Sequence, residues 1–157
     1  MISRDLDSPL TLRERAAVDE WLLSNKVFHI MRDHPLHTFL IMGGMWGYRP
    51  RFNGTLTRLL LGKLRNVTLM QKFAGFNDQQ FLSTEMWPFV RLDVIVHDSY
   101  LCEKFQPKAR PFPTQRPSSD ENNLFVGCVK PCHRFHDMFG LCPISCRPPE
   151  HPDWIFC

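Results

Sequence analysis

Two aspartates one residue apart lie near the start of the chain, in the run RDLDS at residues 4–8. Two carboxylates at the end of an extended segment can reach the same divalent cation, and such hard oxygen ligands suit Mg²⁺ or Mn²⁺, ions that bridge phosphate groups. The imidazole of His97, which closes a predicted strand, supplies a third ligand if that strand lies beside the aspartates. We therefore predict a cation site formed by Asp5, Asp7 and His97, although the two acids would also serve as helix caps.

A second set of polar residues lies where predicted elements begin or end. Asp78 and Gln79 stand at a predicted helix start, where a carboxylate and an amide either cap the helix or bond ligand hydroxyls. Asp33 and His34 follow a predicted strand, and strand ends are where α/β proteins usually place their sites. We predict Asp78 as a catalytic carboxylate and assign substrate contacts to Arg4, Asp33, His34 and Gln79.

The segment GGMWG at residues 43–47 combines small residues with an aromatic side chain. Gly43 and Gly44 permit a tight backbone, and Trp46 offers a flat apolar face that either packs in a core or stacks on a ligand ring. We add these three residues to the predicted substrate-binding set.

Together, RDLDS, FHIMRDHP, GGMWG, DQQFL and IVHDSY resemble the second half of a GT-A-type glycosyltransferase. With FVG at residues 125–127, CP-x-x-CRP at 142–148 and HP-x-W-x-x-C at 151–157, the chain is most similar to a largely uncharacterised group of polysaccharide-associated, glycosyltransferase-like proteins. The resemblance implies that Asp5 and Asp7 contact the metal and the diphosphate, that His97 is a late ligand, and that Asp78 and Gln79 lie near the donor sugar.

The activity implied by the resemblance is transfer from a nucleotide-sugar donor to a glycan acceptor with Mn²⁺ or Mg²⁺ as cofactor. Because the nucleotide-binding βαβ units of such a domain precede the aspartate pair, this chain corresponds to its metal-binding C-terminal half. A second interpretation is a non-catalytic, cysteine-rich binding module derived from a truncated copy. A third is a D-x-D phosphohydrolase, which requires an apolar strand directly before the first aspartate, whereas Ile2-Ser3-Arg4 precedes it here.

The surrounding pattern predicts an α/β fold, partial and GT-A-like, with a small mixed sheet. A capping box at Thr11 and Glu14 predicts a helix to about Ser24 that buries Ala17, Val18, Trp21 and Leu22. The other predicted elements are a strand at Val27–Arg32, a buried segment at Leu40–Met45, helices at about Thr57–Phe73 and from Asp78 onward, and a strand at Leu92–His97.

The chain of 157 residues, 43% hydrophobic and 22% charged, has the length and composition of one globular domain. We assign residues 1–103 to the metal- and sugar-binding half and residues 104–157 to an irregular Pro/Cys-rich tail that wraps the same domain. The charge of +3 is spread without blocks, so no nucleic-acid groove is indicated. No apolar stretch of about 18 residues exists, so no membrane span is predicted.

Five of the six cysteines lie in the tail. Disulfides, free thiols and a zinc site are all open, the zinc site using the two C-x₃-C pairs with His133 and His136. We expect Cys142, Cys146 and Cys157 to lie close to Cys102 or to one another and to pin the tail on the core. Sequons at Asn53 and Asn66 are compatible with an ER or Golgi lumen in a eukaryote, while a bacterial protein would be cytoplasmic.

Overall fold

The computed structural model describes residues 1–75, 78–116, 124–129, 132 and 139–157. Within these residues one mixed four-stranded sheet forms in the order β1-β3-β2-β4. Its strands are β1 (Ile2–Arg4), β2 (Phe28–Arg32), β3 (Met45–Tyr48) and β4 (Val94–Asp98). β2 pairs parallel with β4 and antiparallel with β3, and β3 pairs antiparallel with β1. β1 and β4 are therefore opposite edges of the sheet.

The helices of the described residues are α1 (Leu12–Leu23), α2 (Gly54–Arg65), α3 (Val67–Gln71), α4 (Asp78–Phe81) and α5 (Trp87–Val90), with a 3₁₀ turn at Ile144–Cys146. A π-helical turn at Leu82–Met86 joins α4 to α5. There the N–H of Trp87 donates to the carbonyl of Leu82, five residues back. This wider turn relieves the clash that the ring of Pro88 would make with the carbonyl four residues before it.

The predicted α/β class with a small mixed sheet is confirmed, and α1, β2 and β4 lie where the pattern predicts them. Thr11 caps α1, since its hydroxyl accepts the N–H of Glu14 at 3.0 Å. The predicted helix at 57–73 is two helices, because Asn66 ends α2 and caps α3. The buried segment predicted at 40–45 is shifted, because the backbone pairs with β1 and β2 only from Met45 onward.

The sheet lies between helices, and successive β2 residues point to opposite faces. Phe28 and Ile30 face the larger cluster, which includes side chains of α2, α4 and α5. Met31 faces the smaller cluster, which includes Ala17, Val18 and Trp21 of α1 together with Met45, Ile95, Phe112 and Val126. A Cβ at Gly47 would lie 2.8 Å from the Trp21 ring, so glycine lets α1 approach the sheet closely.

The tail extends the fold at the β4 edge. The N–H of Arg110 donates to Val96 O at 2.9 Å, and Arg110 O accepts the N–H of Asp98 at 3.0 Å. The disulfides Cys102–Cys146 and Cys142–Cys157 then attach the C-terminal residues to the larger cluster, where all four cysteines are buried. The predicted pinning of the tail is confirmed.

A third disulfide joins Cys128 and Cys132. All six cysteines are therefore paired and offer no thiolate to zinc. His133 and His136, the other residues of the zinc alternative, lie outside the described residues. In the part of the chain that the structure describes, no helix combines the length and apolar character needed to cross a membrane.

Candidate functional site

A cleft of about 380 Å³ lies between the β1–β3 edge of the sheet and the helices packed on that face. Its polar lining includes Ser3 and Asp78, and Trp46 lies beside them. The apolar wall consists of Leu64, Met70, Phe73, Phe81, Leu82 and Met86. Trp46 stacks on Phe28 with ring centroids 5.3 Å apart, so the sheet holds the indole in place. The cleft thus combines a fixed aromatic ring with a carboxylate.

Two carboxylates lie against adjacent glycines, and one such pair, Asp78 with Gly43, lines this cleft. A Cβ at Gly43 would overlap the carboxylate of Asp78, and a Cβ at Gly44 would overlap that of Asp5. Because neighbouring Cα atoms are about 3.8 Å apart, the two carboxylates lie within roughly 12 Å of each other. The structure therefore places Asp5 and Asp78 against neighbouring residues of one loop, although they are distant in sequence.

Strand pairing positions Asp5. Arg4 pairs with Met45 across the β1–β3 ladder, so the next residue, Asp5, emerges opposite Gly44. Ser3 braces the same loop, because its hydroxyl donates to Gly43 O at 3.0 Å. The first aspartate of the D-x-D pair and the glycine loop are thus linked by backbone register.

Arg4, predicted as a substrate contact, stabilises the turn that carries the aspartates. Its guanidinium donates to Ser8 O at 3.0 Å and to Pro9 O at 3.1 Å, and it also pairs with the buried Glu14. Partial burial lowers the pKa of Arg4, and the nearby Asp5 opposes that shift. Asp7 is exposed on the same turn. Arg4 therefore stabilises the turn on which Asp5 and Asp7 lie.

Asp78 begins α4 and is exposed, while the neighbouring Gln79 is half-buried. The Oε1 atom of Gln79 is buried and accepts no hydrogen bond from any described residue. The π-helical turn follows directly, and π-turns occur frequently beside functional sites. Both residues stay predictions for the site, and the position of Asp78 in the cleft is consistent with its predicted role.

His97 lies away from the aspartate pair. Strand order puts β4 three strand spacings from β1, roughly 14 Å between strand axes. His97 is fully buried, its Nδ1 is 2.8 Å from His29 Nε2, and its Nε2 is 3.1 Å from Glu20 Oε2. We expected Asp5, Asp7 and His97 to lie at one edge of the sheet. That expectation is wrong, because strands β3 and β2 lie between β1 and β4.

The environment of His97 is a buried polar chain that the sequence pattern did not predict. Burial lowers the pKa of His97, and hydrogen bonding and charge from Glu20 only partly oppose this. The hydrogen bond from His97 lowers the pKa of Glu20 to about 2, with Arg110 adding to the effect. His29 completes the chain beneath the ring of Trp21, with centroids 5.2 Å apart. These contacts hold α1 against the sheet.

Asp33 and His34, also predicted as substrate contacts, are buried in the fold. Asp33 is fully buried and accepts hydrogen bonds from Arg13, Arg116, Ser99 and the N–H of Val126. Burial alone raises the pKa of Asp33, but Arg116 and Arg13 outweigh it and the net shift is downward. His34 packs on Phe125, with ring centroids 4.7 Å apart. The oxygens of Asp33 thus accept hydrogen bonds within the protein, and its side chain has no solvent-exposed surface that a substrate could reach.

One group of potential metal ligands occurs among the described residues, formed by Asp98, Cys102 and Cys146. The two sulfurs form a disulfide, and Asp98 pairs with Arg32 at 2.6 Å. The group is therefore explained by the disulfide and the ion pair.

Comparison of the chain with protein-family models, with curated proteins and with solved structures found no match in any of the three. We therefore infer a function from the sequence motifs and from the geometry of the cleft.

Proposed function

We propose that this chain is the metal-binding half of a glycosyltransferase-like domain, which takes a nucleotide-sugar donor and passes the sugar to a glycan acceptor. The observation that carries the proposal is that Asp78, Gly43 and Trp46 line one cleft, while Asp5 lies against Gly44, the residue next to Gly43. Those five residues come from three separate motifs of the resemblance.

The proposed cation is Mn²⁺ or Mg²⁺, held by Asp5 and Asp7. Both are exposed carboxylates on one turn, and Mg²⁺ usually binds through one or two carboxylates plus substrate phosphates. Two protein ligands are therefore enough, and the position of His97 does not remove the site. When bound, such a cation neutralises charge that develops on a departing diphosphate.

The proposed sugar subsite is the cleft itself. One face of Trp46 is taken by Phe28, and the cleft beside the indole offers room for a sugar ring. The exposed carboxylate of Asp78 lies at the same cleft, where it can accept a hydrogen bond from a hydroxyl and act as a general base. Ser3 holds the loop that contains Gly43, against which Asp78 lies.

Calorimetric titration of the chain with Mn²⁺ and a panel of nucleotide sugars tests the proposal. Gly44→Ala should displace the Asp5 carboxylate, and loss of one charged contact of about 1.5–3 kcal/mol raises the Kd roughly 10- to 150-fold. Gly43→Ala should displace the Asp78 carboxylate and should likewise raise the Kd. Gly62→Ala is the matched control, because a Cβ there meets nothing within 4 Å. Metal-dependent binding that is absent, or equal in all variants, would refute the proposal.

A second candidate, a non-catalytic binding module, is favoured by a different observation. A cleft of about 540 Å³ lies between residues 108–113 and the disulfide-anchored residues 145–154. On its wall His151 and Trp154 stack with ring centroids 4.2 Å apart. Binding of a glycan without metal, unaffected by Gly44→Ala and lost in Trp154→Ala, would favour this function over sugar transfer.

A further inference from the structure

We propose that Asn66 is a site of N-linked glycosylation and that the protein matures in an oxidising lumen. The first support is the state of the cysteines, which are all paired. Disulfides form and persist in oxidising compartments and are rare in reducing ones. Two of them, Cys102–Cys146 and Cys142–Cys157, join sulfurs buried in the larger hydrophobic cluster, so the described fold incorporates the oxidised form.

The second support is the position of the sequon Asn66-Val67-Thr68. Its three residues occupy the junction between α2 and α3, and all three are exposed. Val67 packs little against the rest of the fold, since 67% of its surface is accessible. A bulky polar group at this junction therefore projects into solvent.

The third support is how the Asn66 side chain is used. Its Oδ1 accepts the N–H of Leu69 at 3.0 Å and caps α3. Among the hydrogen bonds of the described residues none uses its Nδ2, the atom to which an N-linked glycan is attached. The modified side chain keeps its carbonyl oxygen, so glycosylation leaves the cap intact.

The modification requires an oligosaccharide linked to a lipid diphosphate as co-substrate. Nδ2 forms a bond to the anomeric carbon and loses one proton to solvent, while the bond between that carbon and the diphosphate oxygen breaks. The lipid diphosphate leaves with the bonding electron pair. No oxidation or reduction occurs in this step.

The second sequon, Asn53-Gly54-Thr55, serves as an internal comparison. Asn53 is half-buried at the start of α2, and its Oδ1 accepts the N–H of Leu56 at 2.9 Å. The hydroxyl of Thr57 donates to Pro50 O at 2.8 Å, which holds the backbone before Asn53 against the start of α2. We expect lower glycan occupancy at Asn53 than at Asn66.

The test is expression of the full chain behind a cleavable secretion signal in eukaryotic cells, followed by intact mass and peptide mapping with and without peptide N-glycosidase. The expected result is a glycan at Asn66 that Thr68→Ala abolishes and Thr68→Ser, which keeps the hydroxyl, retains. Total cell protein is analysed beside secreted protein, so a variant that folds poorly still reports its glycan. Non-reducing peptide maps should show the Cys102–Cys146 and Cys142–Cys157 links. Unmodified Asn66 in protein that carries those links would overturn the proposal, as would folded secreted protein with free thiols.

Discussion

Asp33→Asn distinguishes a structural carboxylate from a substrate contact. The substitution keeps the side-chain shape but removes the charge that faces Arg13 and Arg116, whose side chains are 5% and 7% exposed. Leaving buried charges without a partner costs about 3–5 kcal/mol, a large part of the 5–15 kcal/mol that stabilises a typical domain. For a chain of this length that loss lowers Tm by roughly 6–20 °C.

Urea and thermal denaturation measure this effect, and hydrogen exchange at Val126 reports the local consequence. The N–H of Val126 donates to Asp33 Oδ2 at 2.9 Å, so its exchange should accelerate in the variant. Asp19→Asn is the matched control, because Asp19 pairs with Arg15 on the exposed face of α1 and should change stability little. An Asp33→Asn protein that melts like the wild type but loses nucleotide-sugar binding would refute the structural role.

Two further predictions concern the conditions in which the fold is stable. Three buried histidines have pKa values lowered by burial: His29, His37 (to about 3) and His97. The unfolded chain takes up these protons first, so the free energy of unfolding should fall below about pH 6.5 by up to about 1.4 kcal/mol per pH unit for each histidine. Urea midpoints at pH 7 and pH 5 that coincide would contradict this. Replacing both Cys102 and Cys146 by Ser should lower the free energy of unfolding by about 2–4 kcal/mol, because the disulfide closes a loop between residues 44 apart. An unchanged urea midpoint would show that burial alone holds the tail.

Much of the candidate site was predictable as a set of residues, but not as an arrangement. Asp5, Asp78, Gly43, Gly44 and Trp46 stand out by type and spacing. The structure places Asp78, Gly43 and Trp46 at one cleft and puts Asp5 against the adjacent Gly44. The position of Asp5 opposite Gly44 depends on β3 pairing with β1, which links segments about 40 residues apart. Local patterns carry no information about such a pairing, so the same reasoning also assigned His97 to this site.

Elements whose signals are local were predictable from the order of residues along the chain. The cap at Thr11 acts on an N–H three residues away, and the apolar runs of β2 and β4 identify buried strands without reference to partners. The clustering of cysteines in the tail likewise indicated that the tail is attached to the core. Each of these inferences needs only neighbours within a few positions along the chain.

Strand order, disulfide partners and the pairing of buried charges depend on contacts between distant segments, which local patterns do not predict. Leu22 was predicted to be buried but is 49% exposed. Arg13 on the same helix is buried, because Asp33 and Ser99 accept hydrogen bonds from its guanidinium. A charged residue is assigned to the surface from sequence because burial without a partner is too costly. The partners of Arg13 are Asp33, which follows β2, and Ser99, which follows β4. Only the packing of α1 over the ends of these strands brings the three side chains together.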